Sequence, residues 1–225
     1  EMQEPLSNFH IINTSYPQIQ KIHSNPDIYT IPNFLSDEEC DRLIAKASTS
    51  MKQSLIKTGK IDLTQPNSQR TSTEASIPKR EAPTILNKIT NLVNCDDDQV
   101  EILQVLNYKQ GQEFKAHTDG FDSATSSSGY LHSGRIATAF CYLNDVETGG
   151  ETSFTKLGLK IKPEKGLCVV HFPQTLDLWE DELTEHQGGV AVDEKWILTS
   201  FIWKHWKGDF RYDEDFLPSL TDDII

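Results

Sequence analysis

Residues 103–119 read LQVLNYKQGQEFKAHTD, and this stretch decides the fold. The apolar run of Val100–Tyr108 predicts one strand, and Phe114–Asp119 predicts a second strand after a glycine turn. Residues i and i+2 of a strand point to the same side of a sheet, so His117 and Asp119 can face one interior point. The stretch therefore predicts a β-rich fold that carries an imidazole and a carboxylate side by side.

The chain after residue 99 keeps this character, because short apolar runs alternate with glycine turns. Many short strands of this kind are typical of a sandwich or a barrel. Residues 120–134 are rich in Gly and Ser, and a loop of that length inside a compact domain predicts a lid. The further predicted strands are Ile136–Leu143, Leu159–Ile161, Leu167–Phe172, Gly189–Val192 and Trp196–Trp203.

The pattern before residue 99 is mainly helical. Ser36 and Glu39 are spaced as a capping box ahead of apolar residues at helical spacing, and Thr84–Asn94 predicts a second helix with one apolar face. Residues 1–27 are polar and without a period, which predicts an irregular arm, and Tyr29–Leu35 predicts a short strand. We expect the two helices to pack outside the strands.

Composition limits the class of protein. The 225 residues are enough for one large domain with a core of its own. The 21 basic and 34 acidic residues give a net charge of −13, which argues against duplex DNA or an anionic membrane as the main partner. No apolar run approaches the ~20 residues of a membrane helix, so no membrane span is expected.

Cysteine usage and the first residue say little about the compartment. The four cysteines are scattered without a C-x-x-C pair, which argues against a zinc module and leaves disulfides open. Because the chain begins at Glu1 rather than at methionine, we expect a trimmed sequence from which any targeting segment has been removed. The compartment stays open between the secretory pathway and the cytoplasm.

The pair of His117 and Asp119 supplies two ligands of a facial triad, the arrangement of two histidines and one carboxylate that holds Fe(II). The third ligand must come from a distant strand, and His186 is the best candidate because it begins a strand. A triad leaves iron positions open for a 2-oxo acid and for O2. Lys195 can supply a cation for the far carboxylate of such an acid, a charge-assisted contact worth about 1.5–3 kcal/mol.

Six short motifs follow one another along the chain, at residues 33–40 (NFLSDEEC), 69–72 (QRTS), 103–119, 135–138 (RIAT), 142–145 (YLND) and 149–154 (GGETSF). Together they resemble the catalytic domain of plant, algal and viral prolyl 4-hydroxylases, which are Fe(II)/2-oxoglutarate dioxygenases. The resemblance covers roughly residues 29–206. It implies a mainly β fold with flanking α, namely a double-stranded β-helix (a jelly-roll, cupin-like core) with the N-terminal helices packed on one sheet.

The resemblance also implies a cofactor site. It implies that the iron is held by His117, Asp119 and His186, and that Lys195 pairs with the C5 carboxylate of 2-oxoglutarate. Fe(II), 2-oxoglutarate as co-substrate, O2 and ascorbate are the implied cofactors. Residues 186–196 read HQGGVAVDEKW, one residue fewer than in many members, so a turn or bulge must keep the lysine on the pocket side. Hydroxyls that line the same pocket are implied at Tyr108 and Thr152.

On the substrate side, the resemblance implies hydroxylation of prolyl residues in a peptide or protein, with release of succinate and CO2. Arg135 matches an arginine of the peptide-substrate groove, and Arg70 is placed on the substrate side as well. A polyproline II segment suits such a groove because it is preformed. No nucleic acid is expected as a partner, and the compact chain predicts a monomer.

Two other functions stay open at this point. One is another dioxygenase of the same fold that acts on a different side chain or small molecule, and the other is a non-catalytic binding module. Structural roles are predicted for His171, as a core histidine with satisfied hydrogen bonds, and for the core residues Phe114, Phe140 and Phe154.

The predicted division of the chain has three parts. An N-terminal arm covers residues 1–28, a dioxygenase domain covers 29–207, and an acidic tail covers 208–225. Within the domain, residues 29–98 form a helical support region and residues 99–207 form the jelly-roll core.

Overall fold

The structure is a computed structural model that describes residues 12–54, 69–120, 134–175 and 179–204. Nearly all of the predicted lid and the whole of the predicted acidic tail lie outside the described residues. No helix within the described ranges is long and apolar enough to cross a membrane. The division of the chain into arm, domain and tail stays a prediction.

The first helix, α1 (Asp37–Ser48), begins at the predicted capping box. The Ser36 hydroxyl accepts from the Glu39 amide at 3.2 Å, and the Glu39 carboxylate accepts from the Ser36 amide at 2.8 Å. These bonds satisfy amides that the start of a helix leaves without partners. The same carboxylate accepts from Lys88 at 2.6 Å, which ties α1 to the second helix.

The second helix, α2 (Pro83–Val93), has proline in its first turn and ends at Asn94, which adopts a left-handed conformation. Proline is favoured at this position because its missing N–H has no partner there in any case. The structure confirms both predicted helices. The buried apolar face of α2 consists of Ile85, Leu86, Ile89, Leu92 and Val93.

The described residues also form twelve strands, all paired antiparallel. They are β1 (Gln20–His23), β2 (Ile28–Ile31), β3 (Lys52–Gln53), β4 (Thr73–Ile77), β5 (Leu103–Tyr108), β6 (Phe114–His117), β7 (Arg135–Tyr142), β8 (Thr152–Phe154), β9 (Leu159–Ile161), β10 (Cys168–His171), β11 (His186–Gly188) and β12 (Lys195–Trp203).

These strands form two sheets that face each other. The larger sheet has eight strands in the order β1-β2-β10-β7-β12-β5-β4-β3, and the smaller has four in the order β6-β11-β8-β9. The order departs strongly from the chain order, as it must when strands from distant parts of the chain lie side by side. This is the predicted mainly β fold with a jelly-roll core.

The central strands of the larger sheet are buried on both faces. In β10, Cys168 and Val170 pack with the two helices, whereas Val169 packs with the smaller sheet. In β7, Cys141 likewise packs with the two helices and Phe140 packs with the smaller sheet. The two helices therefore cover one face of the larger sheet, as predicted, and the smaller sheet covers the other.

Two predictions about strands are wrong. The strand predicted over Gly189–Val192 is a loop in which only Ala191 makes an isolated bridge, because the alternating valines face solvent with 50% and 45% exposure. The irregular arm predicted over residues 1–27 contains β1, which pairs with β2. This edge strand is short and mostly polar, so its sequence lacks the apolar alternation of a half-buried strand.

Gly166→Ala is expected to destabilise the fold more than Gly158→Ala. Both glycines have a left-handed backbone, with φ of +80° and +65°, which costs a residue with a Cβ about 1–2 kcal/mol. A Cβ at Gly158 would meet open space, whereas a Cβ at Gly166 would overlap the carbonyl oxygen of Leu35. Equilibrium unfolding in urea measures both losses, and equal losses would contradict the close approach of these two segments.

Candidate metal centre and its pocket

The ends of two paired strands bring the three predicted ligands together. His117 closes β6 and His186 opens β11, and the two residues are direct partners across the antiparallel pair. Asp119 Oδ1 lies 3.5 Å from His117 Nε2, and Asp119 Oδ2 lies 3.7 Å from His186 Nε2. One ligand atom from each residue lies within 4.8 Å of the others, so the three side chains can hold one metal ion.

Both histidine rings are oriented by backbone carbonyls. His117 Nδ1 lies 2.8 Å from the Lys115 oxygen, and His186 Nδ1 lies 3.0 Å from the Thr184 oxygen. A carbonyl only accepts, so each Nδ1 carries the hydrogen and each Nε2 keeps a lone pair for a metal. Phe114 stacks on the His117 ring with 3.5 Å between centroids and restricts it further.

The protonation states at neutral pH suit a divalent metal. Burial lowers the pKa of His186 to about 3, and the carboxylate of Asp119 offsets this effect only in part. Burial alone raises the pKa of Asp119, but the surrounding histidine rings outweigh it and hold this pKa well below its usual range. A neutral imidazole and an ionised carboxylate are the forms that bind metal, so neither group must lose a proton first.

A fourth histidine lies beside these three residues. His171 is fully buried on β10, and its Nε2 lies 3.3 Å from Asp119 Oδ2. Neither of its ring nitrogens has an aligned hydrogen-bond partner among the described residues. The prediction of a core histidine is confirmed by this burial, but the predicted hydrogen bonds are not aligned, and the ring faces the Asp119 carboxylate. Strand alternation is the reason, because His171 shares the inner face of β10 with Val169 and so points towards the site.

A buried lysine lines the same pocket. Lys195 is 1% exposed, and its Nζ donates to the Gly150 carbonyl oxygen at 2.8 Å and lies 4.5 Å from the centroid of the Tyr108 ring. Burial lowers the pKa of Lys195 to about 8, and the charge of Glu151 offsets this only in part. An ammonium group has three N–H donors, and within the described ranges the Gly150 oxygen is the one acceptor that Lys195 reaches. Because the remaining donors are buried without an acceptor, the pocket favours an anion beside Lys195.

The two predicted hydroxyl residues also line the pocket, in different ways. Tyr142 donates to Thr152 Oγ1 at 2.7 Å, which leaves the proton of Thr152 available to a ligand. Burial raises the pKa of Tyr108, and contacts with Arg70 and Ser72 offset this in part. The part played by Tyr142 was not predicted, and only its place in the YLND motif pointed to it.

The two predicted arginines lie on different sides of the site. Arg70 lines the pocket wall that Lys195 also lines; it lies 5.0 Å from the centroid of the Phe114 ring and 3.3 Å from the Glu74 carboxylate. These neighbours of Arg70 were not predicted, because the cross-strand neighbours of a residue cannot be read from one sequence. A contact between Arg70 and a peptide stays a prediction.

Arg135 does not line this pocket but lies just beyond it. Its Nε and Nη2 donate to the Glu101 carboxylate at 2.7 and 3.0 Å, and its guanidinium lies 3.6 Å from the centroid of the Phe201 ring. Its Nη1 reaches the backbone oxygen of Asp119 at 3.4 Å. The carboxylate of Glu101 also accepts from the indole of Trp203 at 2.5 Å, and none of these contacts was predicted.

These observations fit a bound Fe(II) ion and a bound 2-oxo acid. Two neutral imidazoles and a carboxylate are the donor set of the facial triad. The buried ammonium of Lys195 has donors to spare and shares the pocket with the triad, which suits the distal carboxylate of a dicarboxylic acid. The hydroxyl of Thr152 is placed to donate to the same anion.

Comparison with known proteins identifies relatives of the chain. A profile of the 2OG-Fe(II) oxygenase superfamily matches residues 103–203. Prolyl 4-hydroxylase 2 of Arabidopsis thaliana is 30% identical over 217 residues, which span 85% of this chain and 71% of that protein. The resemblance to this plant protein therefore extends over most of the chain.

Solved structures give the same result. A viral collagen prolyl hydroxylase from Paramecium Bursaria Chlorella virus-1, in complex with 2OG, superposes with a TM-score of 0.61 at 30% identity, over 78% of this chain and 95% of that chain. A prolyl hydroxylase from Trichoplax adhaerens, in complex with a hypoxia inducible factor peptide fragment, shares the fold with a TM-score of 0.53 at 15% identity, over 78% of this chain and 82% of that chain.

The affinity for 2-oxoglutarate is expected to fall as the pH rises above about 8, the pKa of Lys195 in the free protein. Only the protonated amine pairs with a carboxylate, so above this pH each binding event must take up a proton and the dissociation constant rises up to about tenfold per pH unit. Isothermal titration calorimetry with Mn(II) in place of iron measures the constant.

Lys195→Met tests the same contact without a change of pH. Loss of a charge-assisted contact of about 1.5–3 kcal/mol predicts a constant about 10- to 150-fold weaker at neutral pH, without the rise above pH 8. Lys160→Met, on an exposed position of β9, is the matched control and should bind like the wild type. A wild-type constant that does not change with pH would exclude Lys195 as the partner of the carboxylate.

Proposed function

The chain belongs to the prolyl 4-hydroxylase family of the 2OG-Fe(II) oxygenase superfamily, and we propose that it hydroxylates prolyl residues of a peptide or protein substrate. It is a 2-oxoglutarate-dependent dioxygenase by family. The triad and the buried Lys195 lie in one pocket, and this arrangement supports the proposal.

We assign roles to five residues of the pocket. His117, Asp119 and His186 would hold Fe(II) through two Nε2 atoms and a carboxylate oxygen, and Lys195 and Thr152 would hold the C5 carboxylate of 2-oxoglutarate. When they are bound, Fe(II), 2-oxoglutarate and O2 supply the oxidation that converts a prolyl C4–H bond into C4–OH, with succinate and CO2 as the other products.

The protein contributes electrostatics and a pocket with a partly apolar wall. At neutral pH the amine of Lys195 is protonated, because its pKa of about 8 lies above the ambient value, and a bound carboxylate holds the proton there. Phe114 and Phe140 line the same pocket as the triad and make part of its wall apolar. The protein thus binds and orients the reactants, while the bond-breaking chemistry belongs to the metal and its co-substrate.

On the substrate side, Arg135 and Phe201 support a peptide as the partner. They form a cation–aromatic pair next to Asp119, where the resemblance puts the peptide groove. Grooves lined by aromatic rings accept the preformed polyproline II helix. The solved relatives are named collagen prolyl hydroxylase and a prolyl hydroxylase bound to a peptide, which agrees with this substrate class. A monomeric enzyme stays a prediction, which light scattering after size-exclusion chromatography tests.

Incubation with Fe(II), 2-oxoglutarate and ascorbate is expected to add one oxygen to proline in at least one of three peptides: poly-proline, Pro-Pro-Gly repeats or Ser-Pro repeats. Mass spectrometry of the peptides detects the gain, and a parallel assay measures succinate. His186→Ala should abolish both products because it removes a metal ligand. His23→Ala, which removes an imidazole from the far edge of the larger sheet, should keep both.

The two assays separate the remaining functions. Succinate without oxygen on any proline peptide would reject prolyl hydroxylation of these peptides and favour a dioxygenase that acts on another side chain or small molecule. Absence of both products from a protein that still binds Fe(II) would favour a binding module.

A further inference from the structure

The feature that the proposed mechanism leaves unused is the imidazole of His171. It is 0% exposed and lies against the rings of Phe154 and Phe140, with 5.3 and 6.3 Å between centroids. Burial of a polar ring among aromatic side chains without an aligned hydrogen bond costs free energy that an apolar residue would avoid. A histidine at this position therefore needs a hydrogen-bond partner that offsets the free-energy cost of its burial.

The partner within reach is the carboxylate of Asp119. His171 Nε2 lies 3.3 Å from Asp119 Oδ2, inside the range of a long hydrogen bond, and only the relative angle of the two groups is unfavourable. A small rotation of either group aligns Nε2–H with the oxygen. A bond to an ionised acceptor is about twice as strong as one between neutral groups.

The neighbour of His171 on the adjacent strand β7 supports the tautomer that carries the ring hydrogen on Nε2. Thr138 is its direct partner in the antiparallel pair, and the Thr138 hydroxyl is also buried without an aligned partner in the described part of the chain. Side chains of direct partners lie on the same face of a sheet, with Cβ atoms roughly 4.5–5.5 Å apart. A hydroxyl there can donate to Nδ1, which places the ring hydrogen on Nε2, facing Asp119.

We propose that His171 is a positioning residue that donates from Nε2 to Oδ2 of Asp119 and so turns Oδ1 of this carboxylate towards the metal. The inference rests on the metal site of the proposed function, but it does not depend on the identity of the substrate. Residues that orient a metal ligand in this way typically change metal affinity 10- to 100-fold when they are lost.

The experiment compares three variants of the full chain without peptide or 2-oxoglutarate. His171→Phe removes the donor and keeps a flat ring among Phe140 and Phe154, His171→Gln keeps an N–H donor, and His23→Phe makes the same change at the sheet edge. Titration of Mn(II) into each metal-free protein, followed by electron paramagnetic resonance of the free ion, gives the dissociation constant. Thermal unfolding in the presence of a chelator reports the fold of each variant separately.

We expect His171→Phe to bind Mn(II) at least tenfold more weakly, His171→Gln to bind within about threefold of the wild type, and His23→Phe to be unchanged. Wild-type affinity in His171→Phe would overturn the proposal. Equal weakening in the Phe and Gln variants would overturn it too, because the N–H donor that the Gln variant keeps would then make no difference to metal binding.

A second variant and the choice of readout keep the result decisive. If His171→Phe does not fold, His171→Leu replaces it with the same expectation. Because Mn(II) binding is measured without turnover, a failure to hydroxylate proline with the expected metal affinities would reject the proposed substrate and leave the role of His171 standing.

Discussion

The direct pairing of His117 with His186 is the constraint on which the site depends. Antiparallel partners point to the same face, so this register alone brings two rings from residues 69 positions apart to one metal. A slip of one residue would turn one ring to the opposite face. The register is fixed from both sides, since β11 lies between β6 and β8 and Gly188 is the partner of both Phe114 and Thr152.

Burial of charge sets the energetics of the pocket. Asp119 and Lys195 are both largely removed from water, which destabilises a fold unless each charge finds a partner. Asp119 has histidine rings around it, whereas in the described part of the chain Lys195 donates to one carbonyl oxygen, lies over the Tyr108 ring and feels the charge of Glu151. An anion at this point completes the shell of the ammonium, so binding of the co-substrate and stability of the folded protein are linked.

Local rules predicted what depends on a few neighbouring residues, and failed where distant segments meet. The capping box of Ser36 is readable from sequence. The closeness of His117 and Asp119 was predicted as well, but for a reason that the structure does not bear out, because β6 ends at His117 and Asp119 lies in the bend that follows it. Lys195 reaches the pocket although its segment is short, because the register is irregular between His186 and Gly188 and a loop precedes β12. No local rule shows that His171 lies beside Asp119, since that contact depends on how the two sheets face each other.

Arg135 shows why a matched position fixes a residue but not its partners. The resemblance places this arginine at the substrate groove, yet in the structure its guanidinium joins three elements: the Glu101 carboxylate, the Phe201 ring and the backbone of Asp119. A side chain held by a bidentate bond and a ring has few orientations left. Any peptide that contacts it is therefore positioned relative to the metal ligand itself, because one hydrogen bond separates Arg135 from Asp119.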